Sequence, residues 1–141
     1  MLTAIERVLF LRGVDLFAYV PDDVLARVAQ VAQIVHFAPG EQFIEQGAAG
    51  DCLFVMIDGE AGILVDNQQV ARRLAREVIG ELAILDKHPR RATCVAVTDI
   101  TALKIDQNNF IALLEESPAL LQGIIKVLIQ TLDEAVSKAS A

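Results

Sequence analysis

Residues 34–65 read IVHFAPGEQFIEQGAAGDCLFVMIDGEAGILV, and they carry the clearest structural pattern in the chain. Short runs of apolar and β-branched residues alternate with turns that contain glycine or proline, as in strands joined by tight turns. The pattern continues to residue 105, with strand candidates at residues 34–37, 42–44, 52–57, 61–65, 70–74, 93–97 and 100–105. Because these strands are short, evenly spaced and not separated by long helices, we expect a mainly β fold, an antiparallel barrel or jelly roll.

Two local patterns in this region support narrower predictions. Asp58-Gly59 is a dipeptide typical of a two-residue hairpin turn between paired strands. Residues 101–105, TALKI, alternate in polarity as a strand with one buried face does.

Helices are predicted on both sides of the strand region. In residues 1–33 the apolar side chains recur at helical spacing, Gly13 interrupts the first helix, and the Pro-Asp-Asp run at 21–23 offers caps for a second. After residue 106 the spacing predicts another helix. Ser117-Pro118 then marks the start of a last helix that extends to about Ser137.

This last helix carries more apolar surface than one core contact requires. Its stripe contains Leu121, Ile124, Ile125, Leu128 and Leu132. Two interpretations are open: a helix laid deep against its own barrel, or a helix that meets a partner, another domain or a second copy.

Length and composition restrict the class of protein. The chain has 141 residues, of which 54% are hydrophobic and 22% charged, so it belongs to the globular and not the disordered class. We expect one domain over residues 1–141, divided into a helical segment 1–33, a jelly roll 34–105 and C-terminal helices 106–141. The net charge of −7 argues against nucleic-acid binding and against attraction to anionic membranes.

Cysteine usage and hydropathy bear on the compartment. Cys52 and Cys94 lie in apolar runs and have neither CxxC nor Cys/His ligand spacing, so we expect buried, reduced thiols that suit a cytoplasmic protein. The first residues lack the basic start of a signal peptide. No uncharged apolar run reaches the roughly 18 residues that span a bilayer, so we expect no direct membrane insertion.

Residues 79–93 read IGELAILDKHPRRAT and form the candidate binding segment. Gly80 before a short helical stretch can present backbone N–H groups to an anion, and the guanidinium of Arg90 can fork onto phosphate oxygens. Glu81 repels phosphate unless it accepts hydrogen bonds from neutral hydroxyls such as those of a ribose, so the combination points to a nucleotide with a free sugar hydroxyl. Taken alone, Arg90 is also compatible with a solvated surface arginine, and Glu81 with a helix cap.

Four ordered blocks of the sequence resemble the cyclic nucleotide-binding domain family. They are FAPGE at 37–41, QGAAGD at 46–51, VMIDGE at 55–60 and the phosphate-binding cassette at 80–93, and the resemblance extends from about Leu11 to Leu132. It implies an eight-stranded antiparallel jelly-roll barrel with N-terminal helices and C-terminal lid helices. It also implies a non-enzymatic regulatory module with cAMP or cGMP as its ligand and no other cofactor.

The resemblance assigns roles to residues of the cassette. Arg90 would pair with the cyclic phosphate, Glu81 would accept from the ribose 2′-hydroxyl, and backbone N–H groups would complete the phosphate shell. The candidate ligand-binding residues are Gly80, Glu81, Leu82, Ala83, Arg90, Arg91, Ala92 and Thr93. The C-terminal helix would relay occupancy to an attached domain of a larger parent protein, to a separate partner or to a second copy of the chain.

Two positions depart from the family's pattern. Arg76 stands in an entry turn that usually contains glycine, so a positive φ there would be strained. Arg91 stands where Ala, Ser or Thr is usual, which removes the family's guide to purine choice. An alternative is therefore a degenerate domain that binds no nucleotide and serves as an interaction or assembly module.

Other chemistries have little support in the sequence. It contains no nucleophile elbow and no GxxxxGK[ST] loop, so we expect no catalytic residues. A metal-dependent, cupin-like enzyme is a third hypothesis, but His36 and His88 are too few and too far apart for its metal site. No helix-turn-helix follows the last helix, so we expect no contact with DNA.

Overall fold

The structure, a computed structural model, describes residues 2–140, apart from the side chains of Leu82 and Ser140. It divides into two compact units. The helical unit comprises the residues up to 30 and from 111 onward, and the sheet unit comprises residues 31–110. The single domain over residues 1–141 stays a prediction.

The sheet unit contains two four-stranded antiparallel sheets. The strands are β1 Gln33–Phe37, β2 Gln42–Ile44, β3 Cys52–Asp58, β4 Ala61–Val65, β5 Gln68–Arg73, β6 Val78–Ile79, β7 Thr93–Ala96 and β8 Ile100–Asp106. The first sheet has the order β1-β8-β3-β6 and the second the order β2-β7-β4-β5. All seven strand candidates are confirmed, whereas β6, with only two residues, is too short to show a pattern.

Inward-facing residues of both sheets form one core. The buried cluster consists of Ile44, Cys52, Phe54, Met56, Ala61, Ile79, Cys94, Ala96, Ile100 and Ala102. Phe37 stacks on Phe43 with ring centroids 4.4 Å apart, and both rings meet the edge of Phe54 at 5.7 and 5.4 Å. The two antiparallel sheets and the helices that precede and follow them in the chain confirm the predicted antiparallel jelly roll with flanking helices.

The hairpin prediction at Asp58-Gly59 is wrong. Gly59 does adopt a positive φ of 99°, but β3 and β4 lie in different sheets, so this turn carries the chain from one sheet to the other. A two-residue hairpin instead joins β4 to β5 through Asp66 and Asn67, whose φ values are 51° and 65°. Positive φ at both central residues is the signature of a type I′ turn, for which Asp and Asn are suitable.

The prediction that residues 101–105 have one buried face is also wrong. Ile100 and Ala102 belong to the core cluster, yet Leu103 and Ile105 on the opposite face of β8 are fully buried as well. β8 lies between β1 and β3 in its sheet, and both of its faces are covered.

The described residues contain five α-helices. As the sequence predicts, helices precede and follow the strand region in the chain. They are α1 Ala4–Arg12, α2 Asp22–Val31, α3 Glu81–Asp86 within the sheet unit, α4 Gln107–Glu116 and α5 Pro118–Ser140, with a 3₁₀ turn at Asp15–Phe17. Helix α1 starts with a capping box between Thr3 and Glu6 and ends at Gly13, as expected. Helix α5 begins at Pro118 as predicted and runs three residues beyond the predicted end.

One face of α5 packs closely on the 3₁₀ turn within the helical unit. A Cβ at Gly123 would lie 1.9 Å from the carbonyl oxygen of Leu16, so only glycine permits this approach. The Asp15 carboxylate lies 3.4 Å from Lys126 Nζ and accepts a hydrogen bond from Gln130 Nε2 at 3.0 Å.

The rest of the apolar surface of α5 is exposed. Ile124 of the predicted stripe is buried, whereas Leu121, Ile125, Leu128 and Leu132 are exposed, and so are Ile129 and Val136. We call these six residues the exposed stripe. None of the helices in residues 2–140 has the length and apolarity needed to cross a membrane.

Candidate functional site

A pocket of about 160 Å³ lies in the sheet unit next to the cassette. The inner face of the second sheet contributes Ile44, Ile63, Arg73 and Cys94, and β6 with the cassette contributes Val78, Ile79, Gly80, Glu81, Ala83, Arg90, Arg91 and Ala92. Six of the eight candidate residues therefore line one cavity. Thr93 has a different contact, since its Oγ1 accepts a hydrogen bond from the backbone N–H of Gln46 at 3.0 Å, and the side chain of Leu82 is outside the described part.

Arg90 is the buried cation of the pocket. Its side chain donates from Nη2 to the carbonyl oxygen of Cys52 at 2.6 Å and from Nη1 to that of Gly80 at 3.3 Å. With only 7% of the residue exposed, the alternative of a solvated surface arginine is wrong. A buried guanidinium held by carbonyls has a fixed orientation and keeps its full charge, which suits it to binding an anion.

Glycines make room for Arg90. A Cβ at Gly80 would lie 2.2 Å from Nη1 of Arg90, and a Cβ at Gly50 would lie 3.1 Å from its Nε and 2.5 Å from the Cβ of Ala83. Gly80 also has φ of 91° and directly precedes α3, whose first-turn N–H groups have no partner within the helix. Gly50 and Gly80, which belong to two separate sequence blocks, thus both leave space for the side chain of Arg90.

Glu81 is half-buried at the wall of the pocket. Burial raises the pKa of its carboxyl, while a hydrogen bond from its own backbone N–H and the positive charges of Arg73 and Arg90 act in the opposite direction. The carboxylate is thus close to two cations and retains acceptor capacity for a neutral hydroxyl.

We expect Glu81→Gln to flatten the pH dependence of unfolding. Because the folded-state pKa is raised, the contribution of Glu81 to stability is fully present below its unfolded value of about 4.5 and is lost as pH rises through the folded value. Urea unfolding between pH 4 and pH 7 measures this loss, at about 1.4 kcal/mol per unit of raised pKa.

The control for this experiment is Glu115→Gln, which removes an exposed carboxylate on α4. Relative to that control, Glu81→Gln should gain stability as the pH rises from the unfolded pKa of Glu81 to its folded pKa, and the difference should stay constant above the folded value. A difference that does not change with pH would contradict the burial of Glu81.

The two departures from the family's pattern have distinct structural outcomes. Arg76 adopts φ of 75°, as expected, and its N–H donates to the carbonyl oxygen of Met56 at 2.7 Å. Arg91 is half-exposed at the pocket and pairs with Asp86, and its hydrogen bond lowers the pKa of that carboxyl. The guanidinium of Arg91 therefore pairs with a half-exposed carboxylate.

Both cysteines are free and buried, as predicted. Burial raises the pKa of both thiols, that of Cys94 to about 11, with the Arg90 charge opposing the shift in each case. Cys94 lines the pocket and Cys52 supplies a carbonyl to Arg90, so they act as apolar wall and backbone support and not as thiolates.

Arg73 is a charged residue at this pocket that the sequence pattern did not indicate, in addition to the apolar lining residues. It ends β5 and lines the pocket, and Arg72 precedes it. Adjacent residues of a strand point to opposite faces, so one of two neighbouring arginines had to face inward. The sequence does not state which one, because that depends on the register of β5 against β4.

Comparison with known proteins agrees with this architecture. A family model described as "Cyclic nucleotide-binding domain" matches residues 34–117. The regulatory subunit of cAMP-dependent protein kinase from Aspergillus fumigatus is 31% identical over 107 residues, which cover 74% of this chain and 26% of the relative. The chain therefore spans about a quarter of the length of that relative.

Two solved structures show the same fold. The chain described as "cAMP bound PfPKA-R (141-441)" superposes with a TM-score of 0.82 at 24% identity, over 97% of this chain and 47% of that one. The regulatory subunit of a cAMP-independent protein kinase A from Trypanosoma brucei gives 0.75 at 23% identity, over 91% and 48%. At these identities the likeness concerns the fold alone.

Proposed function

Because this chain belongs to the cyclic nucleotide-binding domain family, we propose that it binds cAMP or cGMP in the pocket at Arg90 and acts as a non-enzymatic regulatory module. The observation that supports binding most directly is the buried guanidinium of Arg90, held by two carbonyls at the wall of a pocket. A buried cation of this kind costs desolvation energy, which an anionic ligand offsets.

The residues around the pocket match the parts of a cyclic nucleotide. Arg90 forks onto the exocyclic oxygens of the phosphate, and the backbone N–H groups of Leu82, Ala83 and the residues 91–92 donate to the same group. Glu81 accepts from the ribose 2′-hydroxyl, and the neighbouring cations offset its repulsion of the phosphate.

Thermal unfolding of refolded, nucleotide-free protein tests this function. Ligand at about a hundred times its dissociation constant stabilises a binder by roughly 2.7 kcal/mol, which raises the melting temperature by several degrees. We expect that rise with cAMP or cGMP and a smaller one with 5′-AMP, which lacks the cyclic phosphate. An unchanged melting temperature at millimolar cAMP and cGMP would leave the alternative, an assembly module without ligand.

Two observations favour the alternative, a domain that binds no nucleotide and serves as an assembly module. A solved chain of the same fold is described as the regulatory subunit of a cAMP-independent protein kinase A, so the fold also occurs in a kinase that does not depend on cAMP. Arg91 and the positive φ of Arg76 are the departures that favour it here.

We infer that the exposed stripe of α5 passes occupancy to an attached domain, a separate partner or a second copy. One face of the helix is fixed by Gly123, while the opposite stripe offers six large apolar side chains to solvent. Such surfaces mark interaction sites. Amide hydrogen exchange along residues 118–140, measured with and without cyclic nucleotide, should differ; identical exchange in a protein that binds nucleotide would refute the relay.

A further inference from the structure

The backbone of Arg90 is held by the loop that joins β2 to β3. Its N–H donates to the carbonyl oxygen of Ala48 at 2.8 Å, and its carbonyl oxygen accepts from the N–H of Gly47 at 2.8 Å. The N–H of Gln46 in the same loop donates to Thr93 Oγ1 at 3.0 Å. The loop therefore contacts the cassette at two positions, and the buried guanidinium belongs to one of them.

This loop lies on the surface of the sheet unit. Gly47 and Ala48 are exposed, and no atom lies within 4 Å of the position that a Cβ would take at Gly47. Exposed segments with few packing contacts open at a low free energy. Hydrogen bonds from such a loop can hold Arg90 in place only if the loop is itself anchored.

The side chain of Gln46 anchors the loop. Its Nε2 donates to Asp66 Oδ1 at 3.1 Å, and its Oε1 accepts from the N–H of Asp66 at 2.9 Å. Asp66 is the first central residue of the type I′ turn between β4 and β5. Because two bonds join one amide to one turn residue, they fix the orientation of the loop as well as its distance from the hairpin.

The hairpin and the cassette supply different parts of the pocket wall. Ile63 on β4 and Arg73 on β5 come from the hairpin, and Arg90 comes from the cassette. A binding site requires its groups to be held within about 0.5 Å of the productive geometry. The two bonds of Gln46 link the hairpin to the loop that holds the backbone of Arg90, so they help to set the distance between these parts of the wall.

We propose that Gln46 is a positioning residue that holds Arg90 in place for the phosphate through its bonds to Asp66, an inference that rests on the proposed nucleotide binding. Gln46 lies outside the lining of the pocket, so it affects affinity through the backbone of Arg90 and not by contact with the nucleotide. In calorimetric titration, Gln46→Glu should bind cAMP and cGMP about threefold to tenfold more weakly, because it removes one donor and places a second carboxylate against Asp66.

An exchange of donor and acceptor tests this role. In the double variant Gln46→Glu with Asp66→Asn, the carboxylate at position 46 accepts from the amide at position 66, and the net charge of the pair is that of wild type. We expect this variant to recover affinity to within about twofold of wild type. Asp66→Asn alone should also bind like wild type, since its side-chain oxygen still accepts from Gln46.

Amide hydrogen exchange of the nucleotide-free protein provides a readout that does not depend on ligand. The N–H groups of Gly47 and Arg90 should exchange about threefold to tenfold faster in Gln46→Glu and at the wild-type rate in the double variant. Weaker binding without faster exchange would overturn the proposal, because the added negative charge would then explain the loss. Affinity that is not restored in the double variant would overturn it as well.

The matched control is Thr98→Ala. Thr98 Oγ1 accepts from the N–H of Glu60 at 3.0 Å, so this variant removes a side-chain bond of similar length from another loop of the sheet unit. It should reduce stability and leave nucleotide affinity unchanged. Equal losses of affinity in Thr98→Ala and Gln46→Glu would overturn the proposal, since reduced stability would then be the common cause.

Failure of this inference is distinguishable from failure of the proposed function. A wild type that binds cyclic nucleotide no more tightly than Gln46→Glu does would overturn only the role of Gln46. A wild type that binds neither cAMP nor cGMP would contradict the proposed function itself, and this role with it.

Discussion

Arg90→Ala is expected to weaken cyclic nucleotide binding roughly tenfold to a hundredfold, because a hydrogen bond to a charged group is worth about 1.5–3 kcal/mol. The variant also leaves the carbonyls of Cys52 and Gly80 without the donors that they have in the native protein. We therefore expect a lower stability of the nucleotide-free protein, by about 1–3 kcal/mol. Calorimetric titration measures the first effect and urea unfolding the second.

One further variant at position 90 separates charge from geometry, and a variant at the neighbouring Arg91 serves as a control. Arg90→Lys retains the charge but lacks the fork, so its affinity should lie between those of wild type and Arg90→Ala. Arg91→Ala removes a half-exposed arginine that pairs with Asp86. Because exposed ion pairs contribute about 0–1 kcal/mol, this variant should change both the affinity for nucleotide and the stability of the protein only slightly. An Arg90→Ala protein that binds as tightly as wild type would overturn the assignment of the phosphate site.

Gly59→Ala is expected to reduce the free energy of unfolding by about 2–5 kcal/mol. A left-handed conformation costs a residue with a Cβ about 1–2 kcal/mol, and overpacking adds about 1–3 kcal/mol. Gly59 has φ of 99°, and a Cβ there would lie 2.2 Å from the backbone oxygen of Asp99, which cannot rotate away as a side chain does. The turn between the two sheets would have to open.

Gly47→Ala is the matched control for this prediction. Gly47 has a similar φ of 87°, but no atom lies within 4 Å of the position of its Cβ. Urea unfolding should therefore show only the conformational cost, about 1–2 kcal/mol, for this variant. Equal losses in the two variants would mean that the close approach to Asp99 does not hold in solution.

Much of the candidate site could be predicted because its signals are local. Gly80, Glu81, Arg90 and Ala92 stand within one short segment, which resembles the family's phosphate-binding cassette and can be recognised without tertiary information. The strain at Arg76 was predictable for the same reason, since a turn that usually contains glycine indicates the sign of φ.

Other features depend on which strand lies beside which, and sequence reasoning failed there. Asp58-Gly59 correctly indicates a positive φ, but a dipeptide carries no information about whether the flanking strands pair. The face of Arg73 depends on the register of β5 against β4, because a shift of one residue moves every side chain to the other face.

Short-range patterns were thus sufficient for seven strands, the helices and the binding segment but not for the two-residue strand β6, since turn residues and hydrophobic periodicity act over a few positions. Long-range packing determined which strands pair and which side chains are buried. It joined β1 to β8, buried both faces of β8, and enclosed Arg90 between Cys52 and Gly80. It also divided the apolar surface of α5 into a buried face and an exposed stripe, because the distribution depends on contacts with residues more than a hundred positions earlier, such as Leu16 against Gly123.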